Sequence, residues 1–254
     1  MSNQLRKAKM LYIQAGDDCF PSPDTAVFVE AVKQDTWEAR EERYMYVIEG
    51  NLPSSIDKEE LLLNTIPIGS IEFVQNFLKQ NSLPPLKAVN VPPELNDVRF
   101  LSRKVWNLDS KNELPVIVEK YSGNLVVKPG QTPKLFDTTT TRYLHEIPDG
   151  EPLFISEFLP DIQAEWRAFV LQGRIRSIRP YMLRRWVCPD RAMVEEMAKL
   201  VFLPSCTIDV AVLSNGQTVL IEVHPFISCG LYGFEGPDLL RMVSAAWNHQ
   251  IQSM

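Results

Sequence analysis

The chain has 254 residues, 45% hydrophobic and 23% charged, with a formal net charge of −6. That length allows two modest domains or one embellished α/β domain, and the composition excludes a largely disordered, fibrous or membrane-spanning chain. The acidic balance argues against a general nucleic-acid binder, which needs a cationic field to displace counterions.

No apolar run approaches the ~20 residues of a spanning helix. Residues 1–10 carry Lys and Arg without the apolar stretch of a secretion signal, so the expected setting is the cytoplasm, with no membrane partner. Cys19, Cys188, Cys206 and Cys229 lie far apart, with no C-x-x-C pair, and read as free thiols.

In chain order, the apolar, aromatic runs at residues 10–14 and 44–49 predict strands. Between them Ser22-Pro23-Asp24 predicts a helix start, with Ser as N-cap and Pro in the first turn. Ile68, Ile71, Val74, Phe77 and Leu78 recur at helical spacing, which predicts an amphipathic helix over 69–80, ended by Pro84-Pro85. Pro92-Pro93 and the polar stretch 109–112 mark a boundary within residues 90–115.

Beyond it the pattern predicts strands at 116–119, 125–128, 153–158, 166–171, 175–181, 208–213 and 218–223. Ser122-Gly123-Asn124, Gln172-Gly173 and Ser214-Asn215-Gly216 read as hairpin turns. Two stripes, Met193/Met197/Leu200/Val201 and Leu239/Leu240/Val243/Trp247, predict helices. Helices packed on antiparallel strands give an α+β, or mixed α/β, class.

Asp209 and Glu222 interrupt otherwise apolar strands on either side of the Asn215-Gly216 turn. Counted back from that turn, both sit near the open end of one ladder, where alternation allows them to share a face. Facing carboxylates repel and are costly to bury unless a cation lies between them, and hard oxygen donors suit Mg²⁺. The alternative is a pair of strand-end acids bridged to Arg.

Lys128 closes the run Leu-Val-Val-Lys-Pro, and Lys134 follows Gly130 and Pro133, an arrangement that presents two ammonium groups to a polyphosphate. After the 153–158 strand, Glu157, Phe158 and Leu159 leave the sheet, where free backbone groups can read a purine edge, and Glu165 can accept from ribose hydroxyls. Arg167, within an apolar strand, needs an anionic partner if buried. Arg174, Arg176, Arg179, Arg184 and Arg185 form a local cationic stretch, read as a solvated face with nucleic-acid contact as its alternative.

These residues, in this order together with Ile221-Glu-Val-His-Pro and Cys229-Gly-Leu-Tyr-Gly-Phe234, resemble the ATP-grasp superfamily over about residues 100–240. More narrowly, Val-Lys-Pro, Lys134-Leu-Phe and the closing Gly-Leu-Tyr-Gly resemble a bacterial and phage clade named for an Arg and two Lys. The resemblance implies an N-terminal α/β pre-grasp domain over 1–95 and an ATP-grasp domain over 96–254, with ATP held between two α+β subdomains. It further implies that Lys128, Lys134 and Arg103, with Lys104 as the alternative to Arg103, reach the phosphates. Glu157, Phe158 and Leu159 would read adenine and Glu165 the ribose. Asp209, Glu222 and His224 would hold Mg²⁺, and Arg167 or Arg179 would stabilise charge in transfer.

The implied activity is an ADP-forming carboxylate–amine or carboxylate–thiol ligase working through an acyl phosphate, on small-molecule or peptide substrates. The family usually carries Asn where this chain has His224, and often an Arg shortly before the metal Asp, where this chain has Ser205-Cys206-Thr207. Those departures keep two other readings open: a nucleotide-binding regulatory or interaction module without turnover, and a phosphotransferase to a hydroxyl or nucleic-acid acceptor.

Overall fold

Strand β1 (Ala8–Ile13) buries Leu11 and Ile13 completely and pairs in parallel with β2 (Arg43–Ile48) on one side and β3 (Thr65–Ile68) on the other. Parallel neighbours need a crossover, and helix α1 (Pro23–Gln34) lies between β1 and β2 in sequence. The chain is seen here as a computed structural model that describes residues 8–16, 21–35, 43–49, 64–121, 125–136, 139–140, 147–183 and 186–252.

Ser22 stands at the N-cap of α1 with Pro23 behind it, but its hydroxyl bonds Thr25 Oγ1 at 3.1 Å instead of capping a backbone N–H. Helix α2 (Ile71–Gln80) starts two residues later than the periodicity predicts, because Ser70 Oγ accepts from Phe73 N at 3.2 Å and fixes the start there. Ile68 is therefore the buried end of β3, outside the helical stripe. The helix also stops before Pro84-Pro85, at Asn81, whose amide donates to Phe77 O at 2.8 Å.

Helix α6 (Pro237–Gln252) carries the Leu239/Leu240/Val243/Trp247 stripe into the core and packs on α1 and β3. Its Trp247 ring lies edge-on to Phe77 at 6.0 Å. Tyr44 Oη donates to Ser244 Oγ at 3.1 Å, satisfying two buried hydroxyls. Residues 1–85 and 226–254 make up this compact unit.

The second unit, residues 86–225, contains two four-stranded antiparallel sheets. A short helix α3 (Val98–Leu101) precedes β4 (Val105–Leu108), and helix α4 (Leu114–Tyr121) follows it. The first sheet has the order β4-β7-β5-β6, with β5 (Leu125–Pro129), β6 (Thr139–Thr140) and β7 (Leu153–Glu157). Residues 116–119, expected as a strand, belong to α4. The β-branched run Val-Ile-Val favours a strand locally, but Leu114, Ile117, Val118 and Tyr121 recur at helical spacing and cover the sheet. The turn expected at 122–124 lies outside the described residues.

Along β5, Leu125 and Val127 join Leu153 and Ile155 under α4, so alternation sends Lys128 to the opposite face. Strand β5 runs into Gly130, whose N–H donates to Pro152 O at 2.7 Å. The buried Glu151 carboxylate then holds the next loop, accepting from Gln131 N at 3.0 Å, Thr132 N at 2.7 Å and Thr132 Oγ1 at 2.9 Å. A Cβ on Gly130 would stand 2.8 Å from the Pro152 carbonyl, against backbone that cannot give. Gly130→Ala is expected to cost about 1–3 kcal/mol of stability. A thermal melt reads it, and an unchanged midpoint contradicts the packing argument.

The second sheet has the order β11-β10-β8-β9, with β8 (Ile162–Leu171), β9 (Arg174–Leu183), β10 (Ser205–Leu213) and β11 (Thr218–Pro225). Gln172 and Gly173, both at positive φ, form the two-residue turn between β8 and β9. One face, with Ala168, Val170, Cys206, Ile208, Val210, Leu220 and Val223, packs against Val194, Met197 and Ala198 of helix α5 (Arg191–Leu200). Alternation leaves the other face to Arg167, Arg179, Thr207, Asp209, Glu222 and His224. The architecture is α+β. Among the described residues no helix is long and apolar enough to cross a membrane, and Cys188, Cys206 and Cys229 are free. Cys19 lies outside them.

Candidate functional site

Asp209 and Glu222 face each other directly across β10 and β11, and a bulge brings this about. The hairpin closes around three residues, Leu213 N donating to Gln217 O and Gly216 N to Leu213 O, both at 2.9 Å, with Gly216 at φ +83°. That register runs through Val210 opposite Leu220 and would set Ile221 against Asp209. The extra residue between Leu220 and Glu222 moves the ladder by one, turning Glu222 onto the face of Asp209.

Arg103 ties down this irregularity. Its Nη1 donates to Leu220 O at 2.6 Å and to Leu101 O at 3.2 Å, its Nη2 to Ile221 O at 3.0 Å, and its Nε to Ser156 Oγ at 2.7 Å. The guanidinium thus holds both carbonyls at the bulge and reaches β7 of the other sheet. All four acceptors are neutral. Burial lowers its pKa to about 10, opposed by the charge of Glu222, so a cation is held here with no carboxylate in contact.

The two acids carry their own counter-charges. Arg167, opposite Asp209 on β8, binds it in bidentate fashion, Nε to Oδ1 and Nη2 to Oδ2, each at 2.7 Å, with both side chains buried. Lys128 Nζ donates to Glu222 Oε2 at 2.6 Å, joining the polar faces of the two sheets. His224 Nε2 lies 2.9 Å from Glu222 Oε1. Burial alone would raise the pKa of Glu222, but the hydrogen bond and charge of His224 and the ammonium of Lys128 outweigh it and hold the carboxyl well below the usual range. One ligand atom from each of Asp209, Glu222 and His224 lies within 4.8 Å of the others.

Arg179 stands directly across from Arg167, and its buried Nε has no hydrogen-bond partner among the described residues. Adjacent like charges repel, and Asp209 offsets Arg167. Tyr181 lies 5.7 Å from the Arg167 guanidinium, and burial, then the charges of Asp209 and Glu165, raise its pKa. The same tyrosine interacts with Glu165, two residues before Arg167 on β8.

Lys134 is exposed at positive φ in the loop held by Glu151, without an ion-pair partner among the described residues. The Glu157 carboxylate accepts Lys104 N at 2.8 Å, and Glu157 N donates to Lys104 O at 3.0 Å. Glu157 is therefore bound to backbone at the end of β7, where Phe158 is exposed and Leu159 half-buried. Lys104 Nζ sits over the Tyr121 ring at 5.0 Å. Arg184 and Arg185 lie outside the described residues. The structure thus gathers Lys128, Arg167, Asp209, Glu222 and His224 by ion pairs and cross-strand pairing, with Arg103 bound to the backbone beside Glu222 and Arg179 alongside.

Sequence reasoning missed Glu151 and Tyr181 and gave Ser156 and Thr207 no role at the site. Only Thr207 carried a signal, its place two residues before Asp209 on the same strand face.

Two antiparallel sheets facing each other through paired lysine, arginine and carboxylate side chains define an ATP-grasp fold. The family model for the ATP-grasp domain of the clade named for an Arg and two Lys, the second family of that clade, matches residues 100–242, and the chain belongs to that family. Solved structures agree on the fold. A RimK domain ATP-grasp protein from Sphaerobacter thermophilus is 13% identical with a TM-score of 0.55, covering 94% of this chain and 97% of its own. D-alanine–D-alanine ligase from Bacillus anthracis is 12% identical at 0.52, covering 97% and 99%. The ADP complex of N5-carboxyaminoimidazole ribonucleotide synthetase is 10% identical at 0.57, covering 94% and 77%. No curated protein matches.

Proposed function

We propose that the protein is an ATP-dependent carboxylate–amine, or carboxylate–thiol, ligase that forms an acyl phosphate and releases ADP. The observation that carries this reading is the pairing of buried Asp209 with half-buried Glu222, ringed by Arg103, Lys128, Arg167 and Arg179. Such an array balances the charge of a metal-bound polyphosphate.

In this reading a substrate carboxylate oxygen attacks the γ-phosphorus, the bond to the ADP oxygen breaks, and an acyl phosphate forms. The amine or thiol then attacks the acyl carbon, phosphate leaves, and the nucleophile loses its proton. Lys128, Lys134 and Arg103 reach phosphate oxygens. Glu157, Phe158 and Leu159 offer backbone groups to adenine, and Glu165 accepts from ribose. Arg167 and Arg179 balance charge that builds on the transferred phosphoryl group. Little more than positioning and charge is needed for such chemistry.

The carboxylate oxygens of Asp209 and Glu222 are the hard donors that suit Mg²⁺, and with His224 they are the residues that would hold the metal. When bound, the ion neutralises phosphate oxygens. The proposed division is a pre-grasp domain over 1–95 and a grasp domain over 96–254, of which residues 226–254 belong to the compact unit of residues 1–85, in a cytoplasmic setting, with small-molecule or peptide substrates and no nucleic-acid partner.

A second reading, a nucleotide-binding module without turnover, is favoured by one observation: both carboxylates are already engaged by protein cations. Incubation with ATP, pooled amines and carboxylates labelled with heavy oxygen separates the two. Ligase chemistry is expected to move one labelled oxygen into the released phosphate, and ADP release requires the carboxylate. Nucleotide binding without phosphate release contradicts the ligase reading, as does unlabelled phosphate.

A further inference from the structure

Resting on the metal-dependent reading above, we propose that the Asp209–Glu222–His224 cluster selects a first-row transition cation of the Mn²⁺ or Co²⁺ class over Mg²⁺, with His224 Nε2 as the selecting ligand. Two carboxylates and an imidazole form a mixed oxygen–nitrogen donor set. Imidazole suits first-row transition ions better than Mg²⁺, which favours oxygen and water; Mn²⁺ is the most oxygen-preferring of that series and Co²⁺ binds nitrogen more strongly.

One distance is compatible with a shared ion. Two neighbouring ligands of an octahedral ion with bonds of about 2.1 Å lie about 3.0 Å apart. His224 Nε2 and Glu222 Oε1 are 2.9 Å apart. Lone pairs remain as well: Arg167 takes one on each Asp209 oxygen and Lys128 one on Glu222 Oε2, while a carboxylate offers about four; a cation would take the Nε2 lone pair of neutral His224 in place of its contact with Glu222 Oε1.

Charge works in the same direction. The two carboxylates are offset by Arg167 and Lys128, which reduces the Coulomb gain for any dication. The nitrogen preference then carries more of the discrimination.

An independent observation points to a ligand at this place. Thr207, fully buried, pairs in register with His224 and shares the strand face of Asp209, and its Oγ1 has no hydrogen-bond partner among the described residues. Buried hydroxyls are normally satisfied. The hydration water of a cation held by His224 and Asp209 supplies the partner that neighbouring side chains do not.

The test titrates the full-length protein calorimetrically with Mn²⁺, Co²⁺ and Mg²⁺ chlorides, with and without a non-hydrolysable ATP analogue, in wild type, His224→Asn and His224→Ala. Thermal melts establish that each variant is folded. The Mn²⁺-to-Mg²⁺ affinity ratio of wild type is expected to exceed that of both variants by about tenfold or more. Electron spin-echo spectra of the Mn²⁺ form are expected to show a coordinated nitrogen that both variants lose. Equal ratios in wild type and variants, or no coordinated nitrogen in wild type, overturn the proposal. Analogue binding that persists alongside equal ratios leaves the nucleotide reading standing. A His224-dependent Mn²⁺ preference with no analogue binding supports the selectivity and contradicts the nucleotide reading.

Discussion

Replacing Asp209 by Asn together with Glu222 by Gln is expected to abolish ATP-dependent ADP formation, lowering the rate by at least about 10³-fold. Removal of one preorganised charge-stabilising group typically costs about 10²–10³ in turnover, and this variant removes both carboxylates while keeping their shapes. Arg167 and Lys128 lose their counter-charges in the variant, which costs stability, so a thermal melt first establishes that the variant is folded. Phosphate release under saturating ATP reads the effect. Turnover within tenfold of wild type contradicts the assignment of these residues.

The second large effect is on stability. Arg167 and Asp209 are buried and joined by two short hydrogen bonds. Arg167→Met leaves a buried carboxylate without its partner, and breaking a buried pair in this way costs about 3–5 kcal/mol. Removing both charges, as in Arg167→Met with Asp209→Leu, is expected to recover most of that loss, because the desolvation penalty disappears with the attraction. Chemical denaturation of wild type, the single variant and the pair measures the coupling. A single-variant loss below about 1 kcal/mol would instead describe a pair well screened by solvent.

The secondary structure that could be read from the sequence is the part whose pattern agrees with its burial. Strands β8 to β11 were legible because one face packs on α5 and the other carries charge, even though bulges interrupt the alternation. The stripe of α6 is likewise the face it buries. Residues 116–119 misled because a β-branched run gives a local strand preference, whereas the fold uses the longer spacing from Leu114 to Tyr121. Strands β3 and β4 have only four residues each, too few to display a period.

At the site, the turn at Asn215-Gly216 was legible, and a count from it brings Asp209 and Glu222 together. The structure arrives at the same pairing by a three-residue turn and a compensating bulge. Nothing in the residue types announces that bulge. Nor does sequence reveal that Arg103 braces it, since three of the four acceptors are backbone carbonyls and the fourth is a serine on another strand. The same holds for Glu151, an acid that binds a loop backbone instead of a cation.

The most direct test of the central claim is a calorimetric titration of ATP into the full-length protein, with and without Mg²⁺ or Mn²⁺, beside the Asp209→Asn/Glu222→Gln variant. The account predicts micromolar, divalent-dependent binding that the variant loses. No binding to folded wild-type protein at millimolar ATP would contradict it.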